Sequence, residues 1–173
     1  MHVYILRHGN AGDREQWTGD DRKRPLTEEG RKEMRAIAKG LDWLDLKVDT
    51  IITSPLVRAQ ETADFVRQVL HRSRYDTSQL LEPGCDLRAL ARLLTLYPQA
   101  REIMIVGHEP DFGEIIAALI GASLSGTIQL KKAACSCIKL DTEVGSPTAA
   151  AGELAGKGVL VWHLPPRVLA RLG

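Results

Sequence analysis

The stretch HVYILRHGN, His2–Asn10, decides the architecture of the chain. Its first five residues, His2–Leu6, are rich in β-branched, aromatic and long apolar side chains, which is the pattern of a strand buried on both faces. The run stops at Arg7 and His8, and Gly9 follows. A cation at the end of a buried strand needs a partner, because an unpaired buried charge is expensive. No carboxylate stands beside Arg7 in the sequence, so the partner must come from elsewhere in the fold or from a ligand.

Downstream, helix and strand patterns alternate. LTEEGRKEMRAIAKGLDWL (26–44) reads as a helix with Thr27 as N-cap and Glu28 and Glu29 in its first turn. Met34, Ile37, Leu41 and Leu44 share one face of it. DTIITS (Asp49–Ser54) reads as a short strand. PLVRAQETADFVRQVL follows as a helix, with Pro55 in its first turn and Ala59, Ala63, Val66 and Leu70 turned inward. Residues 71–85 carry no decisive pattern, SQLLEP (78–83) being the candidate there for a short strand; DLRALARLLTLY reads as a third helix and EIMIVG (Glu102–Gly107) as a strongly buried strand. PDFGEIIAALI is a fourth helix. AACSCIKL and GVLVWHL are late strands, joined by the small-residue stretch DTEVGSPTAAAGELAGKG, which reads as a loop or loose hairpin. This alternation predicts an α/β fold, a three-layer α/β/α sandwich around a mostly parallel sheet.

At 173 residues the chain is expected to form one domain, 1–173. A net charge of +1 gives no bulk electrostatic case for nucleic acid or an anionic membrane. No apolar run is long enough for a bilayer. The N-terminal residues lack the charged start and cleavage site of a signal peptide, so a cytoplasmic protein is expected. Cys85, Cys135 and Cys137 lack the spacing of a metal site; Cys135 and Cys137 fall on one face of a strand and read as small apolar side chains.

In such folds ligands bind beyond the carboxyl ends of the strands. Those ends deliver Arg7 and His8, then Arg58 early in a helix, then His108 in GHEPDFG. Each is weak alone: a histidine after a strand is commonly a helix cap, and an arginine on a helix is commonly solvated. Together they form a cationic rim suited to phosphate or carboxylate. A histidine near phosphorus can form a covalent intermediate. One histidine would attack while the other stays protonated and bonds a phosphoryl oxygen, and the arginines would stabilise the transferring group without a metal. Gly9 would let the backbone turn away.

LRHGNA, RPLTEEG, SPLVRAQETA and VGHEP resemble, in this order, the motifs of the histidine phosphatase superfamily, also called phosphoglycerate mutase-like. The early RPLTEEG, the short middle region and the ending VWHLPPRVL resemble its SixA-type phosphohistidine phosphatases. The resemblance implies that His8 is the phosphoryl-accepting nucleophile, Arg7 and Arg58 the phosphate clamps and His108 the second histidine. Gly9 and Asn10 are expected to line the pocket. It also implies no metal and no cofactor.

Glu109 occupies the position of an acid donor in some branches, and Glu82 is the one glutamate in the segment where mutase-type members keep theirs. Acidic residues also favour the first turn of a helix for dipole reasons alone. Lack of a clear donor favours phosphohistidine, whose imidazole leaves easily when its ring is protonated. The expected partner is thus a phosphorylated protein, such as a phosphotransfer domain or phosphocarrier. A small phosphomonoester is the alternative substrate, and a non-catalytic phosphate-binding module the alternative class. Trp17 is expected to anchor its loop, His163 to be structural, and Lys131 and Lys132 to lie in a solvated turn.

Overall fold

The first strand, β1, runs His2–Arg7 and takes the centre of a six-stranded sheet. The computed structural model describes residues 1–71, 73–122, 128–140 and 154–173. After β1 come α1 (Glu28–Trp43), β2 (Thr50–Thr53), α2 (Val57–Arg67), β3 (Arg74–Thr77) and α3 (Leu87–Thr95). Then follow β4 (Glu102–Gly107), α4 (Asp111–Leu119), β5 (Cys135–Leu140), β6 (Gly158–Leu164) and α5 (Pro166–Leu172). The sheet order is β3-β2-β4-β1-β5-β6. β3, β2, β4 and β1 pair in parallel, and β5 runs antiparallel to both β1 and β6.

The period of two sorts side chains between two cores. Val3, Ile5, Ile52, Ile103 and Ile105 face α3 and α4, packed with Leu90, Leu94, Phe112 and Ile116. Tyr4, Leu6, Ile51, Met104 and Val106 face α1, α2 and α5, packed with Met34, Ile37, Leu41, Ala63 and Leu169. Cys135 and Cys137 lie on that second face as buried free thiols. The layers are those of the expected α/β/α sandwich, with helices on both faces.

Thr27 caps α1, its hydroxyl accepting the Gly30 N–H at 3.0 Å. A Cβ on Gly30 would sit 2.1 Å from the Asn10 carbonyl oxygen, so glycine there lets the start of α1 touch the loop after β1. Pro55 is not in the first turn of α2: Leu56 is the N-cap, and the proline shapes the approach. SQLLEP is not a strand. Residues Gln79–Leu81 form a 3-10 turn, and the strand lies just upstream, in RYDT. That edge strand is mostly exposed and lacks an apolar alternation. Helix α5 was not among the expected elements; Pro166 at its first position and the apolar VLARL are its signals. The stretch 141–153, read as a loop or hairpin, lies outside the described residues.

Candidate active site

Three neighbouring strands end at one level. Arg7 is in register with Gly107, and Thr53 with Val106. The ladder continues one step further: the His8 N–H donates to the Gly107 carbonyl at 2.9 Å, and the Ser54 N–H to Val106 at 2.9 Å. On its other side the His8 carbonyl accepts the Ala133 N–H at 3.0 Å. His8 is thus pinned from both flanks, a rigid mount for a reacting group.

Gly9 does not make the turn. It is not among the positive-φ glycines, whereas Gly12, at φ 70°, is. A Cβ on Gly9 would stand 2.9 Å from Met34 Cγ, so the position serves close packing onto α1.

His8 and His108 are both buried, with ring centroids 5.3 Å apart. His8 Nδ1 lies 2.7 Å from the Gly9 carbonyl oxygen. That oxygen only accepts, so Nδ1 carries the proton and Nε2 presents its lone pair. Burial pushes the His8 pKa well down; the bond to Gly9 opposes this, while His108, Arg58 and Arg7 add to it. The ring is neutral at pH 7.

His108 Nε2 lies 2.8 Å from Ser54 Oγ, and Nδ1 is buried with no partner among the described residues. Burial first, then Arg58 and Arg7, lower its pKa to about 3, against the opposing pull of Asp21 and Glu82. The expectation that one histidine stays protonated is therefore corrected for the protein alone: both rings are neutral. A phosphoryl dianion at the rim would offset the arginines and return a proton to the ring.

Arg7 donates to the Leu130 carbonyl at 2.6 Å, and its Nε is buried without a partner. Arg58, buried at the start of α2, donates to the Asp21 carbonyl at 2.9 Å and pairs with the Asp21 carboxylate at 3.2 Å, while its Nε also lacks a partner. Asp21 is held by Arg24 at 2.9 Å as well, and despite burial these cations keep its pKa below the usual carboxylate range. Buried polar atoms are normally satisfied. Among the described residues, those with no partner are Arg7 Nε, Arg58 Nε and His108 Nδ1, and all belong to this rim. Such a rim of N–H groups around a free imidazole nitrogen can bind an oxyanion and accept a phosphoryl group.

The carboxylates around it are committed. Glu109 accepts the Gly113 N–H at 2.9 Å on one oxygen and the Leu130 N–H on the other. It thereby ties the first turn of α4 to Leu130, the residue whose carbonyl receives Arg7. Glu82 forms a two-pronged pair with Arg22, one contact at 2.9 Å. Asp111 accepts the Gly84 N–H at 2.8 Å.

Asn10 Oδ1 accepts from the Gly12 N–H at 3.2 Å and from Lys132 Nζ at 2.8 Å, so Lys132 is tied to the loop rather than solvated. Lys131 is exposed. Trp17 donates to the Asp20 carbonyl at 3.0 Å and anchors its own loop. His163 bonds Ser136 at 2.8 Å in the sheet. The sequence reading missed Asp21, Ser54 and Thr62, each of which touches the rim from a distant segment; only the placement of Ser54 at a strand end could have signalled one of them.

A family model for the histidine phosphatase superfamily (branch 1) matches residues 3–82. A phosphohistidine phosphatase SixA homolog of Haemophilus influenzae is 31% identical over 134 residues, 70% of this chain and 78% of that protein. The phosphohistidine phosphatase SixA of Escherichia coli is 29% identical over 126 residues, 69% of this chain and 74% of that protein. The solved structure of the protein histidine phosphatase SixA complexed with tungstate has the same fold, with a TM-score of 0.78 and 24% identity over 96% of this chain and 98% of that one. Among the described residues no helix is long and apolar enough to cross a membrane.

Proposed function

The chain belongs to the histidine phosphatase superfamily and is a phosphatase, and we propose that its substrate is phosphohistidine carried on a protein. One observation carries the substrate assignment. Glu109, Glu82 and Asp21, the carboxylates bonded around the rim, each already accept from an N–H group or an arginine, so none of the three stands free to protonate a departing alkoxide. An imidazole leaving group needs no such acid. A relative acting on phosphohistidine fits this reading.

His8 is the nucleophile. Its Nε2 lone pair forms a bond to phosphorus as the substrate P–N bond breaks, and the bonding pair returns to the substrate ring. That ring, already protonated on its other nitrogen, leaves neutral. Water then attacks phosphorus, the P–N bond to His8 breaks with its electron pair returning to Nε2, and both water protons leave on the product as dihydrogen phosphate, so His8 is restored neutral with its proton on Nδ1. The first step exchanges one phosphorus–imidazole bond for another and is close to thermoneutral. Arg7 and Arg58 supply N–H groups to the phosphoryl oxygens, and His108, protonated once the dianion is bound, supplies a third cation. Gly9 and Asn10 form the loop beside them. These cations remove the need for a metal.

A second reading has one supporting feature. A cavity of about 400 Å3 beside Arg7, lined by Glu109, Pro110, Ile128, Leu130 and Lys131 among others, is of the size that takes a small organic phosphate. The deciding experiment assays a histidine-phosphorylated carrier protein and a panel of small phosphomonoesters, with chelator present. Turnover of the phosphoprotein that survives chelation and is lost in His8→Ala is expected. Fast turnover of a phosphomonoester with none of phosphohistidine would sink the substrate assignment, and dependence on added metal would sink the mechanism.

A further inference from the structure

The segment SPLVRAQET, Ser54–Thr62, leaves β2 and opens α2. Besides Arg58 it carries two fully buried hydroxyls, Ser54 and Thr62. Thr62 Oγ1 donates to the Arg58 carbonyl at 2.7 Å, so toward the Gly9 N–H, 3.0 Å away, it accepts. The Gly9 residue held there offers its carbonyl to His8 Nδ1. Ser54 Oγ accepts the Leu56 N–H at 3.4 Å, which leaves its hydroxyl proton for His108 Nε2 at 2.8 Å. The neutral His108 ring then carries its own proton on Nδ1, the buried atom without a partner among the described residues.

We propose that Ser54 and Thr62 are positioning residues that fix the orientation of His108 and His8, so that both neutral rings carry their proton on Nδ1. The two rings then play opposite parts from the same tautomer. His8 presents a lone pair at Nε2, and His108 presents an N–H donor at Nδ1. A serine hydroxyl suits the second task in both protonation states: it donates to the neutral ring and, after rotating, accepts from the imidazolium. This rests on the two histidines being the reacting groups, and not on which phosphorylated compound is the substrate.

The test is nitrogen-15 long-range NMR of the histidine rings at pH 7, combined with kinetics of Ser54→Ala, Thr62→Val and Thr62→Ser. In the unaltered protein both rings should show the Nδ1–H pattern; an Nε2–H pattern on either ring would overturn the assignment without any variant having to fold. Ser54→Ala should turn His108 into a tautomer mixture. It should lower kcat about tenfold to hundredfold, the scale of a misplaced reacting group, with KM changed less than about threefold. Thr62→Val should do the same through His8, and Thr62→Ser should recover kcat to within about threefold. A merely structural role predicts lost stability with unchanged ring signals and kcat, and that result would overturn the proposal. Kinetics are read on p-nitrophenyl phosphate and on a phosphohistidine protein. Loss of only the second substrate in the unaltered enzyme would count against the substrate assignment and leave the ring test to decide this one.

Discussion

The two ends of the sheet make opposite use of their polar groups. At the amino ends of β2 and β4 lies a groove of about 880 Å3, lined by Asp49, Ser73, Arg74 and Tyr97 among others, larger than the 400 Å3 cavity beside Arg7. Yet several of its polar groups are paired within the protein. Asp49 Oδ2 accepts the Arg101 and Glu102 N–H groups at 2.6 and 2.9 Å, Ser73 donates to the Val48 carbonyl at 2.7 Å, and Tyr97 donates to Asp76 at 2.6 Å. At the carboxyl ends the cavity beside Arg7 is smaller, but around the rim Arg7, Arg58 and His108 keep buried nitrogens that have no partner among the described residues. Size does not mark the reactive end. Unpaired buried donors do, because the fold tolerates their cost only where a ligand supplies the acceptor.

The sharpest way to break this contrast is to remove one group from each end. His8→Ala should lower kcat by roughly 10⁴-fold or more, since the nucleophile itself is lost. Trapped phosphoenzyme should disappear with it, while the denaturation midpoint stays or rises as a buried imidazole is removed. Asp49→Ala should leave kcat unchanged and cost about 1–3 kcal/mol of stability, because two backbone N–H groups lose their acceptor. Urea titration and steady-state kinetics on the same samples check both. Comparable losses of activity from the two variants would end the distinction between the ends.

Arg58→Lys probes the unpaired donors directly. Lysine keeps the charge but cannot hold Asp21 and a phosphoryl oxygen from one planar fork. A fall in kcat/KM of about 10²-fold is expected, the scale of one oxyanion donor. Retention of activity within a few-fold would show that charge alone suffices at this position.

The fold and the site differ in how far they could be read from the chain. The inner strands β1 and β4 match their expected bounds closely because burial leaves clear apolar runs, and the edge strand β6 matches because its run of Val, Leu and Val is apolar although mostly exposed. β3 escaped because an edge strand of Arg, Tyr, Asp and Thr carries no apolar alternation. His8, His108, Arg7 and Arg58 were legible because each ends a strand or lies on the segment that leaves one. Their supports were not. Asp21 reaches Arg58 across 37 positions, Ser54 reaches His108 across 54, and Thr62 reaches Gly9 across 53. Contacts of that span are set by the crossover topology of the sheet, which no local pattern encodes.

Acid stability sharpens the contrast from the side of proton binding. His108 titrates near pH 3 in the folded protein and near 6.5 when unfolded, and His8 is shifted in the same direction. The unfolded chain therefore binds more protons between these values, so stability is full above about pH 6.5 and falls as the pH drops toward 3. From pH 7.5 to 4.5 the loss from His108 should be about 3 kcal/mol. Urea titrations in a phosphate-free buffer should show that slope, and His108→Gln should flatten it. A binding anion works the other way: a doubly charged sulfate should bind more tightly as the pH falls, with proton uptake measurable by calorimetry in two buffers. A slope unchanged by His108→Gln would place the acid sensitivity elsewhere.

Glu109→Gln is the smallest and most discriminating change. Both of its oxygens accept backbone N–H groups, and glutamine retains one carbonyl oxygen while turning an amide N–H₂ toward the other donor. The lost bond should cost about 1 kcal/mol of stability. It should also loosen the backbone at Leu130, whose carbonyl holds Arg7, so a modest rise in KM is expected, with kcat for a phosphohistidine protein nearly unchanged. A proton donor behaves otherwise. Were Glu109 to protonate the leaving group, kcat on a phosphomonoester would fall by about 10²-fold or more while phosphohistidine turnover persisted. The ratio of the two kcat changes thus separates a carboxylate that holds Arg7 at one remove from one that delivers a proton.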